Sequence, residues 1–162
     1  MAFVGDLARG RTVRSLAWLL TNYTGMTLYF VAPKELQISA DILDLLHRRG
    51  VRTVIEEDFA AVIPKVDAIY MTRIQDEWDT HPGASGKLGT DRYHFTAACL
   101  AQLRPDAILM HPFPRRQEIA VEVDHDPRAM YWRQMRNGMW IRCALIASMF
   151  RCEAAIEGYD ER

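Results

Sequence analysis

The sequence predicts an α/β domain of the Rossmann-like, three-layer kind, with a mainly parallel sheet of about five strands and helices on both faces. Short apolar segments alternate with segments of helical periodicity along nearly the whole chain. This alternation is typical of parallel strands joined by crossover helices, which cover both sides of the sheet. With 162 residues, of which 49% are hydrophobic, the chain is long and apolar enough for one domain with its own core.

Five short apolar segments are predicted to be the strands. They are too short for helices, and turn-forming or charged residues flank them, as is usual for buried strands. The predicted strands are residues 2–4, 28–31, 51–55, 68–71 and 107–110. The connection between the last two, from Arg73 to Tyr93, is long and rich in Gly, Pro, Asp and His, which is typical of a functional or mobile loop.

Helices are predicted between the strands from apolar residues at helical spacing and from residues that start or stop a helix. The start and stop signals before the fourth strand are Gly25, Ser39, Gly50, Asp58 and Pro64. A short helix is predicted over residues 96–103. The last helix is predicted to begin at Asp126-Pro127, to break at Asn137-Gly138 and to end near Cys152.

Composition limits the classes of function. A net charge of −1 does not favour binding to nucleic acid or to an anionic membrane, because neither is attracted by a neutral surface. Cys99, Cys143 and Cys152 show no paired spacing and no signal peptide is apparent, so reduced thiols and a cytoplasmic location are expected. The longest apolar run is too short to span a bilayer. The scattered histidines predict no metal site, and no cofactor is expected.

Three arginines follow predicted strands, and they are Arg11, Arg73 and Arg115. In an open α/β sheet, ligands bind outside the carboxyl ends of the strands. A guanidinium group is a flat fork of donors that matches a carboxylate or a phosphate at two points. Convergence of the three would make a site for an anion with more than one acidic group. The competing interpretation is that each is an ordinary surface arginine.

The segment from Gly5 to Thr12 also resembles the phosphate loop of nucleotide hydrolases in its spacing, with Arg11 in place of the lysine. A second strand that ends in Asp, needed to manage magnesium, is not found at Thr72 or Met110. Magnesium-dependent nucleotide binding is therefore not expected. A cation at a helix start opposes the helix dipole, and an anion bound between the two removes this conflict.

Three segments together resemble the aspartate carbamoyltransferases, in the right order and spacing from about residue 2 to residue 151. The segments are Gly5-Asp6-Leu7 with Gly10-Arg11-Thr12, Tyr70-Met71-Thr72-Arg73-Ile74-Gln75 with Glu77, and His111-Pro112-Phe113-Pro114-Arg115 with Glu118. The Gly-Arg-Thr and His-Pro-x-Pro-Arg forms resemble the aspartate enzyme rather than its ornithine relative. Asn137-Gly138-Met139 before an apolar helix is similar to the family's ending.

The resemblance implies which residues hold the substrate. Arg11 and Arg73 correspond to the two arginines that grip the aspartate carboxylates, and Gln75 to a glutamine that helps to hold the amino acid. The turn at Phe113 and Pro114 corresponds to one with a cis bond, whose backbone carbonyls meet the reacting nitrogen and the carbamoyl group. The family has leucine where this chain has Phe113, so a reshaped pocket is expected.

The resemblance also implies a supporting set of residues behind the ligand contacts, which are Asp6, Thr12, Glu77 and Arg115. Asp6 and Glu77 are expected to orient Gln75 and Arg73. The interpretation that Gln75 and Glu77 are solvated loop residues remains open. His111 is expected to be a structural residue at the strand end rather than a catalytic base.

The resemblance covers only the second of the family's two domains. Residues 1–152 are predicted to form the aspartate-binding domain and residues 153–162 a C-terminal tail. The Ser-Thr-Arg-Thr helix start that binds carbamoyl phosphate in the first domain is absent from this sequence. The chain alone is therefore expected to be inactive, to bind L-aspartate or a similar dicarboxylate weakly, and to need a carbamoyl phosphate-binding domain or chain as partner. A non-catalytic relative that binds a dicarboxylate or a protein is the alternative.

The last predicted helix is apolar on nearly every side, from Met139 to Phe150. A helix of this kind is buried on more than one face. In the family it crosses back onto the first domain, so a bare face and a homo-oligomer are expected for this chain. The alternative is that the helix packs wholly on its own sheet.

Overall fold

The fold is seen in a computed structural model, which describes residues 1–153. The predicted tail at 153–162 therefore lies, apart from Glu153, outside the described residues. A five-stranded, all-parallel sheet has the strand order β3-β2-β1-β4-β5. The strands are β1 (Ala2–Val4), β2 (Thr27–Val31), β3 (Arg52–Glu56), β4 (Ala68–Met71) and β5 (Ile108–Met110). All five predicted strands are confirmed.

Five α-helices connect or follow the strands, and six short 3-10 turns lie among them in the described part of the chain. The helices are α1 (Arg11–Leu20), α2 (Ala40–Arg48), α3 (Phe59–Val62), α4 (Ala97–Gln102) and α5 (Tyr131–Met149). Three of the 3-10 turns fall in the long connection after β4, at Asp76–Trp78, Ser85–Leu88 and Thr90–Tyr93. The predicted loop therefore has regular local structure of its own.

Two predicted helix starts differ in how they are capped. The Asp58 carboxylate accepts the Ala61 N–H at 3.1 Å, as predicted for the start of α3. Ser39 is also at the cap position of α2, but its hydroxyl does not accept a helix N–H. Instead it accepts from the Arg14 guanidinium at 2.5 Å and donates to the Asp41 carboxylate at 2.5 Å. The serine thus links α2 to α1.

The last helix departs from the prediction at its start. Asp126 does not cap a helix, because its carboxylate accepts the backbone N–H of Arg128 at 2.9 Å and binds the guanidinium of the same residue. The Met130 N–H then donates to the Leu109 carbonyl at 2.8 Å, which keeps this segment beside β5. The helix therefore begins only at Tyr131.

The predicted break within the last helix is also wrong. α5 runs without interruption over its 19 residues and through Asn137 and Gly138. A glycine inside a helix costs about 1 kcal/mol relative to alanine but leaves the backbone hydrogen-bond ladder intact. One glycine therefore weakens this helix without ending it. No helix among residues 1–153 is both long and apolar enough to cross a membrane.

Two apolar cores lie on opposite faces of the sheet, as a three-layer domain requires. β1 supplies both, because Ala2 and Val4 pack in one core and Phe3 in the other. Phe3 stacks on Phe30 with ring centroids 5.4 Å apart. α1 and α2 cover this second core, while α3 and the residues around α4 cover the first. The prediction of helices on both faces is confirmed.

The strand order fixes where a site can form. The chain runs from β1 outward through β2 to β3 and then crosses back to place β4 on the other side of β1. The connections after β1 and β4 thus diverge at the carboxyl edge, which is the point where open α/β sheets bind ligands. β5 is the next strand along. The three loops that the sequence marks as functional therefore leave adjacent strands.

Candidate functional site

A cavity of about 170 Å³ opens at the carboxyl edge of β1, β4 and β5. It is lined by Gly10, Arg11, Thr12, Thr72, Arg73, Gln75, His111, Pro112, Phe113 and Pro114. The structure thus brings together all five residues predicted to contact a substrate. They come from three separate loops, so only the folded sheet creates this site.

The loop after β1 is in close contact with the end of β4. Gly5 has φ of +112°, and a Cβ at this residue would be 2.3 Å from the Thr72 carbonyl oxygen. The Asp6 N–H donates to the Thr72 hydroxyl at 2.9 Å, and that hydroxyl donates to the Val4 carbonyl at 2.9 Å. This close approach explains why glycine begins the motif, because any side chain would separate the two loops.

Asp6 supports the cavity from behind. Its buried carboxylate accepts the backbone N–H of Gln75 at 3.1 Å and that of Arg9 at 3.1 Å. Burial raises the pKa of Asp6, and this effect exceeds the lowering by the two backbone hydrogen bonds and by the Arg9 charge. Asp6 therefore contacts Gln75 through the main chain of that residue, which is consistent with the expectation that Asp6 orients it.

The start of α1 forms one wall of the cavity. Gly10 precedes the helix, and a Cβ there would be 2.8 Å from the Asp6 carbonyl oxygen. The first turn carries no acidic side chain, and Arg11 and Thr12 are exposed at its beginning. The first N–H groups of a helix have no partner within the helix and favour an anion. The arginine and the helix start together favour a negatively charged ligand.

Arg73 is held by a carboxylate of its own loop. Its guanidinium forms a two-point ion pair with Glu77, in which Nη1 is 2.8 Å from Oε2 and Nη2 contacts Oε1. The hydrogen bond from Arg73 lowers the pKa of Glu77 to about 2. The pair therefore stays ionised at neutral pH and fixes the guanidinium at the cavity wall. A ligand carboxylate must share Arg73 with Glu77 or displace it.

The turn after β5 forms the opposite wall. The Phe113–Pro114 peptide bond is cis, as predicted, and Phe113 has φ of +59°. The Phe113 ring packs against Trp132 and Tyr131 of α5, with centroid separations of 5.2 and 5.9 Å. The aromatic cluster on α5 therefore accommodates the ring that replaces the leucine of the family.

His111 is a structural residue of this turn. Its ring is buried, Nδ1 accepts the Phe113 N–H at 2.9 Å, and Nε2 lies 2.7 Å from Oε1 of Glu118. Because Nδ1 accepts, the ring proton is on Nε2 and is donated to the carboxylate. Burial raises the pKa of Glu118, but the hydrogen bonds from His111 and from the backbone outweigh it and the net pKa is lowered. Both ring nitrogens are engaged, so neither is free to serve as a catalytic base.

The expected convergence of three arginines is wrong for Arg115, which does not line the cavity. Its guanidinium forms a two-point ion pair with Asp124, with Nη2 2.7 Å from Oδ2, and it lies over the rings of Tyr131 and Trp132. A half-buried carboxylate and two aromatic faces retain this arginine behind the turn. It supports the turn and does not contact the cavity.

The Arg115–Asp124 pair makes stability depend on pH. The hydrogen bond from Arg115 lowers the pKa of Asp124 below its ordinary 3.8. The stabilisation is therefore present above that value and is lost as the pH falls through the lower folded pKa. We expect the urea midpoint to fall between pH about 5 and about 2, and Asp124→Asn to flatten this dependence. Asp67→Asn, at an exposed surface pair with Arg104, is the control and should leave the profile unchanged. An unaltered profile in Asp124→Asn would contradict the assignment.

Two arginines near the cavity were missed by the sequence reasoning. Arg9 donates to the Gln75 carbonyl at 2.7 Å and to the Asp79 carboxylate at 3.0 Å. Arg116 binds the Asp76 carboxylate at 2.8 Å. Each is close in sequence to an arginine of the predicted set, but its partners lie far along the chain. Among the described residues, no group of three or more His, Cys, Asp or Glu side chains is arranged to hold a metal ion.

The strand order changes direction between β1 and β4, and a cavity lined by arginines lies at the carboxyl edge of these strands. This combination is typical of α/β domains that bind a small anionic ligand. The family model described as "Aspartate/ornithine carbamoyltransferase, Asp/Orn binding domain" matches residues 1–149. The chain belongs to this family and corresponds to its Asp/Orn-binding domain.

Individual relatives agree with this assignment. The chain is 43% identical to the chloroplastic aspartate carbamoyltransferase of Oryza sativa over 151 residues, which are 90% of this chain and 40% of the relative. It is 42% identical to the aspartate carbamoyltransferase catalytic subunit of Vibrio cholerae, over 91% of this chain and 47% of the relative. The chain therefore spans less than half the length of the curated relatives it matches.

Solved structures are similar over the same region. The catalytic subunit of M. jannaschii aspartate transcarbamoylase superposes with a TM-score of 0.83 at 34% identity, over 93% of this chain and 49% of that one. The Trypanosoma cruzi enzyme in complex with carbamoyl phosphate and aspartate has a TM-score of 0.82 at 36% identity, over 90% of this chain and 48% of that one. The sequence-based assignment to the family is confirmed.

Proposed function

We propose that this chain is the aspartate-binding half of an aspartate carbamoyltransferase. The reaction joins carbamoyl phosphate and L-aspartate to give N-carbamoyl-L-aspartate and phosphate, a step of pyrimidine biosynthesis. The observation that carries the proposal is the cavity in which Arg11, Arg73 and Gln75 meet the Phe113–Pro114 turn. The similar structure from Trypanosoma cruzi, in complex with carbamoyl phosphate and aspartate, supports this choice of ligand.

The cavity offers complementary groups to each part of aspartate. Arg11 and Arg73 provide two guanidinium groups for two carboxylates, each capable of a two-point contact. Gln75 adds an amide that both donates and accepts. The carbonyls of the Phe113–Pro114 turn accept hydrogen bonds from the amino group and so direct its lone pair. The binding residues are thus charge-complementary to an amino dicarboxylate.

The chemistry follows from this arrangement. The neutral amine attacks the carbamoyl carbon to form a C–N bond, the C–O bond to phosphate then breaks, and the proton lost from the nitrogen passes to the departing phosphate. Holding the amine in line with a polarised carbonyl supplies much of the rate enhancement in such a transfer. The described residues position the amine. Groups that bind the phosphate would come from a carbamoyl phosphate-binding domain.

Binding by this chain alone should be weak. Arg11 is exposed and Arg73 is already paired with Glu77, so each guanidinium is hydrated or occupied before a ligand arrives. A surface ion pair contributes about 0–1 kcal/mol, whereas a Kd of about 1 mM corresponds to about −4 kcal/mol. We therefore expect aspartate or its analogue succinate to bind at millimolar strength or more weakly.

In the described part of the chain all three cysteines are free, which supports a reducing compartment such as the cytoplasm.

Complementation tests the proposal. The purified chain should form no N-carbamoyl-aspartate from carbamoyl phosphate and aspartate. Addition of a separately expressed first domain, for example from the Vibrio cholerae catalytic subunit, should produce measurable turnover. Arg73→Ala should reduce that turnover by about 100-fold or more, because a buried charge-assisted contact to the substrate is lost. Arg104→Ala is the control, since this arginine pairs with Asp67 at the opposite end of β4.

The outcomes separate the possible functions. Turnover by the lone chain that is lost in Arg73→Ala would show that a complete site exists without a partner, against the proposal. No turnover in the mixture, with succinate binding that still depends on Arg73, would favour the non-catalytic relative. No turnover and no dicarboxylate binding would reject the proposed function altogether.

A further inference from the structure

One nitrogen of Arg9 joins two loops of the site. Its Nη1 donates to the Gln75 carbonyl at 2.7 Å, to the Asp79 carboxylate at 3.0 Å and to the Ser85 hydroxyl at 3.3 Å. The same nitrogen lies 3.6 Å from the buried Asp6 carboxylate. Arg9 belongs to the loop after β1, whereas its three main partners belong to the long loop after β4. The residue therefore bridges two loops that are about 70 positions apart in sequence.

The far end of this bridge is well anchored. The Asp79 side chain is only 2% exposed, and it accepts the Ser85 N–H at 2.8 Å together with the Ser85 hydroxyl. The Ser85 hydroxyl bond is the main cause of the lowered pKa of Asp79, and Arg9 adds to it. An enclosed carboxylate with several donors is a firm attachment point, unlike an exposed surface pair.

Both polar groups of the Gln75 backbone are held by this arrangement. Its N–H donates to Asp6 at 3.1 Å, and its carbonyl accepts from Arg9 at 2.7 Å. Because both peptide planes next to Gln75 are restrained, its main chain has little conformational freedom. The Gln75 side chain therefore extends to the cavity from a fixed backbone position. Asp6 alone would fix only one of the two planes.

We propose that Arg9 is a positioning residue for the substrate site, which holds Gln75 and the adjoining loop in place through Asp79 and Ser85. Arg9 lies outside the 170 Å³ cavity that gathers the substrate-binding set. Its donating nitrogen is already engaged by protein groups, so it acts on the ligand through Gln75. This role rests on the proposed function, because it concerns the same aspartate-binding site.

Two variants of Arg9 and one control variant test this role. Arg9→Met keeps an unbranched apolar stem and removes the charge and all donors. Arg9→Lys keeps a charged nitrogen with three N–H donors, and since all the side-chain hydrogen bonds use Nη1, it should restore part of the bridge. Arg14→Met is the matched control, because Arg14 pairs with the exposed Asp41 at the surface of α1 and α2.

The first readout does not depend on any ligand. We expect Arg9→Met to speed amide hydrogen exchange at Gln75 and Ser85 by about tenfold or more, since local opening becomes easier. Exchange at Thr72, whose N–H donates to Val4 within the sheet, should not change. Arg9→Lys should be intermediate, and Arg14→Met should match the wild type. Unchanged exchange at Gln75 and Ser85 in Arg9→Met would overturn the proposal.

The second readout is succinate affinity, followed by chemical-shift titration. Arg9→Met should weaken it about tenfold while the domain remains folded, as a cooperative urea transition would show, with partial recovery in Arg9→Lys, because preorganisation of Gln75 is lost. Faster exchange with unaltered affinity would overturn the positioning role. If the wild type binds no succinate and the mixture with the first domain shows no turnover, the proposed function fails, and the exchange rates alone still decide whether Arg9 holds the loop.

Discussion

Gly5→Ala should destabilise the domain by roughly 3–5 kcal/mol, one of the largest effects expected of a single methyl group. Gly5 has φ of +112°, a conformation that residues with a Cβ rarely adopt. The added Cβ would also lie 2.3 Å from the carbonyl oxygen of Thr72 and 2.8 Å from its hydroxyl oxygen. Relief requires the loop after β1 to move away from β4, which breaks the Asp6–Thr72 hydrogen bond. Urea unfolding at neutral pH measures the loss.

Gly25→Ala is the matched control. Gly25 also has a positive φ, of +75°, but a Cβ there meets nothing within 4 Å. Its cost should be the backbone strain alone, about 1–2 kcal/mol. The difference between the two variants therefore isolates the close approach of the loops. Equal losses would contradict the packing of Gly5 against Thr72. Because the displaced loop carries Asp6, Gly5→Ala should also abolish dicarboxylate binding, whereas Gly25→Ala should preserve it.

The sheet was predictable mainly from its central strands, β1 and β4, which are buried on both faces. They read as continuous apolar runs between polar connections, a pattern typical of parallel sheets, whereas the edge strand β3 is only partly buried. The start of α5 was not predictable from local signals. An Asp followed by Pro is equally suited to a turn, and the contact between Met130 and Leu109 that decides the outcome lies outside any local window.

The sequence predicted which loops form the site, but it did not predict which ion pairs form within it. Motif spacing identified Arg11, Arg73 and Gln75, which share one cavity. The argument from strand ends alone placed Arg115 with Arg11 and Arg73, although Asp124 retains it elsewhere. With 20 basic Lys and Arg residues and 21 acidic ones, sequence alone does not tell which pairs form. Arg9 was missed for this reason, since its partners are brought near only by the fold.

α5 carries a large apolar face that the rest of residues 1–153 does not cover. Of its 19 residues only Tyr131 and Ala147 are buried, so the alternative that the helix packs wholly on its own sheet is wrong. The exposed large apolar side chains on the helix and at its end are Trp132, Met135, Met139, Trp140, Ile141, Leu145, Ile146, Met149 and Phe150. Contiguous apolar surface of this extent marks an interaction site.

The proposed function predicts that a carbamoyl phosphate-binding domain covers this face. A separate apolar groove of about 740 Å³ is lined by residues of α1 such as Leu16 and Leu19 and by Gln134 of α5. The curated relatives are more than twice as long as the region they share with this chain, so they contain enough further residues for another domain. A domain of the same family is the occupant to be tested.

Without that domain the chain should self-associate. Burial of a large apolar side chain contributes roughly 1.5–3 kcal/mol, so a few such side chains suffice for pairing at tens of micromolar, most simply as a two-fold dimer. Sedimentation velocity should show a species larger than the monomer. Ile141→Glu combined with Leu145→Glu should leave a monomer, because both side chains are about 60% exposed and their replacement leaves the core intact. Val121→Glu, at a 71% exposed apolar residue outside α5, is the control and should still associate.

The same double variant tests the identity of the occupant. It should bind succinate as the wild type does, since neither residue lines the arginine cavity, yet it should lose most of the turnover that the added first domain restores. The wild-type dimer should dissociate as that domain is added, because both compete for one face. A monomeric wild type, or a double variant that still associates, would reject α5 as the contact surface. Restored turnover in the double variant equal to that of the wild type would reject the partner domain as its occupant.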